Sequence, residues 1–72
     1  MGNESRINIA LKVAILESGW PQIEVANRAE MDATALSMIV RGHREPTDEQ
    51  RRNLSKVLRR SQSQLFPSQA VA

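Results

Sequence analysis

Residues 22 to 44 read QIEVANRAEMDATALSMIVRGHR, and this stretch decides the fold. It has the pattern of two short helices joined by a tight turn. From Ala33 to Arg41 successive residues rotate by about 100° around a helix axis, which gathers Ala35, Leu36, Ile39 and Val40 on one side. The other side carries Ala33, Thr34, Ser37, Met38 and Arg41. A face meant only for water is normally filled with Glu and Lys, whereas this one is small and uncharged until its last residue. Gly42, His43 and Arg44 follow at once. A face of this kind can approach another surface closely, and the groove expected to receive it is the major groove of double-stranded DNA.

Working outward, the turn is Glu30-Met31-Asp32, and Asp32 is placed to cap the following helix by accepting from backbone N–H groups two and three residues on. The alternative use of its carboxylate is a base contact. Pro21 fits the first turn of the preceding helix, where its missing N–H has no partner to lose. That helix runs to about Ala29, with Ile23, Val25 and Ala26 inward and the Gln22 amide at its start able to donate. Further back, Arg6 to Ser18 is helical, with Ile7, Ala10, Leu11 and Ala14 on one stripe and Gly19 as its stop. A second apolar stripe of Ile9, Val13 and Leu16 lies roughly opposite the first and requires a cover. Trp20, the only tryptophan, is expected to plug the corner between these helices.

Downstream, Gly42 ends the groove helix where a left-handed backbone suits glycine. A loop over residues 43 to 46 leads to Thr47, which forms a capping-box pattern with Gln50, while Asp48 and Glu49 sit favourably against the positive helix end. Leu54, Val57 and Leu58 supply the buried face of this fourth helix. After SQSQ, the Leu65-Phe66-Pro67 segment reads as a last helical turn folding back onto the core. The organisation expected is a flexible arm over 1–5, one domain over 6–66 and a disordered tail over 67–72. No internal repeat is visible.

Composition bounds the rest. Seventy-two residues with 40% hydrophobic side chains can form one small core. The absence of cysteine removes disulfides and thiolate metal sites, so folding must rest on packed helices. No apolar run approaches the roughly 20 residues of a membrane span, and the MGNESR start lacks a secretion signal, so the expected location is the cytoplasm. The net charge of +2 says little, but Arg41, Arg44, Arg51, Arg52, Lys56, Arg59 and Arg60 all fall in the second half. With one histidine and with the acids assigned to caps and first turns, no nucleophile-base constellation can be assembled. Neither an enzyme, a metal site nor a cofactor is expected.

Gln22, Val25-Ala26, the three-residue turn, Leu36-Ser37, Ile39, Gly42, Pro46-Thr47, Leu54, Leu58 and Leu65-Phe66 together resemble the Cro/C1-type (XRE-like) helix-turn-helix domain of phage repressors and bacterial transcriptional regulators. The resemblance covers residues 7 to 66. It implies an all-α, lambda-repressor-like bundle of four to five helices, with the third helix in the major groove. Carried over position by position, the base-reading sites fall on Ala33, Thr34, Ser37 and Met38. The phosphate contacts fall on Gln22, Arg41, His43 and Arg44, although His43 also reads as a plain exposed loop residue. The pattern departs from the family at three places. Glu30 stands where glycine is frequent, Pro21 where a Ser or Thr cap is usual, and Ile15 with Val40 where many members carry an ion pair.

Ser and Thr hydroxyls bond either base class, and Ala or Met can only touch a thymine methyl, so direct readout should be modest. Specificity then needs DNA shape, two half-sites, or an N-terminal arm acting through Arg6. The expected function is that of a DNA-binding repressor on nucleoid DNA, working as a homodimer on a near-palindromic operator. An antitoxin with a protein partner, or a protein-interaction module, is the rival. The spare α-helical stripe together with Leu65, Phe66 and Val71 is a reason to expect the dimer; alternatively, the C-terminal turn folds over the first helix and buries both within a monomer.

Overall fold

Side chains of Asn8, Thr47 and Ser61 cap three of the five helices among the described residues. The computed structural model describes residues 7–67. Within them lie α1 (Ile9–Ser18), α2 (Gln22–Arg28), α3 (Ala33–Val40), α4 (Asp48–Leu58) and α5 (Gln62–Leu65), with no strand among the described residues. Helix α1 begins later than its apolar stripe suggests, because Asn8 is its cap: Oδ1 accepts from the Leu11 backbone N–H at 2.9 Å. Gly19, at φ 81°, ends it. Thr47 and Gln50 form the expected capping box, each accepting a hydrogen bond from the other's backbone N–H. Ser61 and Gln64 repeat that box at α5, so the SQSQ segment starts the last helix instead of merely leading to it. Pro21 is the N-cap of α2, one residue outside the helix, not part of its first turn.

The core is a single cluster. Leu11, Val25, Leu36, Leu54 and Leu65 are its largest fully buried members, joined by Ala14, Ile15, Ala26, Ala29, Ile39, Val40, Leu58 and Phe66. Burying each leucine contributes about 1.5–3 kcal/mol. Ala35 is also buried, so all four residues expected on the inner side of α3 are inside. Ile15 and Val40 both lie in the cluster, an apolar arrangement that avoids the desolvation of a buried charge pair. Trp20 and Val57 pack against its edge. Helix α2 lies against α3 and α4, and α1 against α3, α4 and α5.

Three expectations about the apolar surface are corrected. Ile23 is 60% exposed, because α2 turns Val25 and Ala26 inward and its second residue outward. On α1 the inward stripe is Leu11, Ala14 and Ile15, leaving Ile7 exposed and Ala10 half-buried. Leu65 and Phe66 are buried in the core and add nothing to a spare surface, yet α5 does not cover Ile9, Val13 and Leu16, which stay exposed. Val71, the arm over 1–5, Arg6 and all of the tail except Pro67 lie outside the described residues.

Candidate nucleic-acid interface

The entry to α3 is a turn in which the backbone at Glu30 takes a left-handed conformation, φ 59°. Its N–H donates to the Asn27 carbonyl at 3.1 Å, and that of Met31 donates to Ala26 at 2.9 Å. This is the two-bond termination usually built on glycine, and here a glutamate bears the strain. The turn is pinned from outside, since Asn53 Nδ2 on α4 donates to the Ala29 carbonyl at 3.1 Å. Asp32 is the N-cap of α3 in backbone terms, and its carbonyl accepts from the Leu36 N–H at 3.0 Å. Its side chain makes no capping hydrogen bond, which corrects the role expected for the carboxylate.

The exit from α3 has the same two bonds with glycine in the strained position. Gly42, at φ 80°, donates to Ile39 at 3.1 Å, and His43 donates to Met38 at 2.9 Å. The last helical carbonyl, that of Val40, accepts from the Asn8 backbone N–H at 2.8 Å. Both ends of α3 are therefore tied to other helices, and its direction relative to the core is defined.

On the outer side of α3, Thr34 and Met38 are exposed and Ser37 is half-buried. Ala33 differs from the expectation: it is half-buried and packs against the core cluster, so its methyl is shared between the outer face and the interior. Arg41, His43 and Arg44 are all exposed beyond the helix, and among the described residues their side chains make no ion pair or hydrogen bond. Gln22, half-buried at the first position of α2, has no side-chain partner among the described residues. Other cations are already engaged. Arg28 pairs with Glu24 at 2.9 Å and lies 4.1 Å over the Trp20 ring, Arg51 pairs with Asp48, and Arg60 pairs with Glu17 across the fold. The cations of the described residues thus resolve into a committed set and an uncommitted one, and the latter includes Arg41 and Arg44 after α3.

Asn8, whose backbone N–H holds the end of α3, and Asn53, whose side chain pins the turn before it, were not singled out by periodicity. Asn8 stands just ahead of an apolar helical run, which is a cap signature. Asn53 has no such signal, because its partner is 24 positions away. Among the described residues no group of three or more His, Cys, Asp or Glu could hold a metal ion, and no helix is long and apolar enough to cross a membrane. A helix-turn-helix family model matches residues 11–63, most of the chain, and stops short of Leu65 and Phe66. No curated protein and no solved structure matches it.

Proposed function

Because the chain belongs to the Cro/C1-type helix-turn-helix family of DNA-binding regulators, we propose that it is a sequence-specific repressor of phage or bacterial type that inserts α3 in the major groove. The binding unit is residues 6–66, acting on nucleoid DNA in the cytoplasm as a binding protein and not as an enzyme. Thr34, Ser37, Met38 and the shared methyl of Ala33 meet base edges. Gln22, Arg41, His43 and Arg44 meet phosphates. The observation that carries this reading is the uncharged outer face of α3, with Thr34 and Met38 exposed, ending directly in exposed cations that have no partner among the described residues.

Readers of this kind discriminate weakly, and a single α3 cannot supply the three or more powers of ten that separate operators from random DNA. Two copies on a near-palindrome can. Their α3 helices would lie about 34 Å apart, on half-sites centred about 10 base pairs apart.

Salt titration of duplex binding tests the proposal. Three neutralised phosphates per copy give a log-log slope of roughly −3 per monomer, or about −5 to −6 for a pair. Affinity unchanged between low and moderate salt would overturn the reading. Arg41→Ala or Arg44→Ala weakens all duplexes alike, whereas Ser37→Gln adds an adenine preference at one position, worth about 1–3 kcal/mol. Identical selected sites for wild type and Ser37→Gln would remove Ser37 from the interface.

A further inference from the structure

Helix α1 is apolar on two sides, and the fold uses only one of them. Leu11, Ala14 and Ile15 are buried, while Ile9 at 67%, Val13 at 39% and Leu16 at 70% remain in solvent. Steps of four and then three residues set these side chains on one line along the helix, the d-a-d spacing of a coiled-coil seam. At 100° per residue, Lys12 flanks the line on one side and Glu17 on the other. Both are exposed. Among the described residues Lys12 has no ion-pair partner, and Glu17 accepts from Arg60 through one oxygen, which leaves acceptor capacity on its carboxylate.

We propose that this seam is where two copies of the chain meet, with α1 packed parallel to α1. The flanking charges select both the occupant and the direction. In a parallel pair the residue before the a position of one helix faces the e position five residues on in the other, so Lys12 of each copy meets Glu17 of its partner. An antiparallel pair would instead bring lysine near lysine and glutamate near glutamate. A second copy supplies both complementary charges by symmetry alone. Three side chains on a helix of ten residues bury far less than the roughly 800 Å² per partner of a stable complex. The pair therefore forms where DNA already holds two copies side by side, and in that respect the inference rests on the function proposed above.

The arrangement has a geometric result. The N-terminal end of α1 is tied to the C-terminal end of α3 through the Asn8 N–H and the Val40 carbonyl. Parallel pairing sets both α1 N-termini at one end, and the two Arg41–Arg44 loops come to that same end.

The chain has no cysteine, so single introduced thiols report the contact cleanly. Ile9→Cys, Val13→Cys and Leu16→Cys are each oxidised on a duplex enriched by this protein from a random pool, with circular dichroism confirming retained helix. Parallel pairing cross-links all three variants, since identical residues face one another across the two-fold axis. Cross-linking of Val13→Cys alone would mean an antiparallel contact and would overturn the proposal, as would no cross-link at all. Adding Lys12→Glu to Leu16→Cys lowers the yield several-fold, and adding Glu17→Lys as well restores it; an unchanged yield with Lys12→Glu overturns the charge argument. If no duplex is enriched, the DNA reading fails, and the same oxidation of concentrated protein alone then decides the seam by the same three outcomes.

Discussion

The two ends of α3 are closed by the same pair of backbone hydrogen bonds and held in place by different means. At the exit, glycine occupies the left-handed position without strain, and the Asn8 backbone N–H adds a tie to the Val40 carbonyl. At the entry, Glu30 occupies that position at a steric cost of about 1–2 kcal/mol for an L-residue, and Asp32 leaves its capping role unused. Asn53, reaching from α4, is what fixes the turn. The lesson is that a helix-turn-helix unit can tolerate a poor turn residue when the bundle behind it supplies a tertiary tie.

The largest effect is expected at the glycine end of α3. Gly42→Val forces a β-branched residue into the left-handed region and should cost about 2 kcal/mol, a fall in Tm of about 8–16 °C for a domain of this size by thermal melting. Next is Asn53→Ala, which leaves the Ala29 carbonyl without its donor; about 1 kcal/mol is expected, read by urea unfolding. If Asn53→Ala were neutral while Gly42→Val was costly, the entry would not depend on the bundle. Glu30→Gly should act in the opposite direction. Relief of the left-handed strain, offset in part by glycine's greater unfolded-state entropy, leaves a stabilisation of about 0.5 kcal/mol. The smallest effect is expected for Asp32→Ala, within about 0.5 kcal/mol, because no side-chain cap is lost. A loss of a full kcal/mol, typical of a removed N-cap, would show that the carboxylate caps α3 in solution.

Much of the fold was legible in the sequence because several local signals agreed. The inner side of α3, the Thr47–Gln50 box, and the stops at Gly19 and Gly42 follow from periodicity and capping chemistry alone, and each is present. Helix α2 is harder to read: seven residues span barely two turns, so Ile23 could be assigned to either side, and tertiary packing put it outside. In α1 both stripes are equally apolar, and composition cannot say which of them faces the core. For the candidate interface, the outer face of α3 could be read but not the inward lean of Ala33, which depends on what packs behind the start of the helix. Which cations remain uncommitted was not legible either. Arg60 meets Glu17 across 43 positions of chain, a distance no local pattern reports.

Asn8 has a consequence for how the protein is made. Its Nδ2 donates to the Leu65 carbonyl at 2.9 Å across 57 positions, while its Oδ1 starts α1 and its backbone N–H holds the end of α3. During synthesis the first helix can form early, but its last tie does not exist until residue 65 has been made and has left the ribosome. Until then α1 lacks its packing against α5, and part of its inward face is open to water. Closure of the core therefore waits for α5, and a nascent chain stalled before it would already hold both ties of α3, at Asn8 and Asn53, while the α5 side of α1 stayed open.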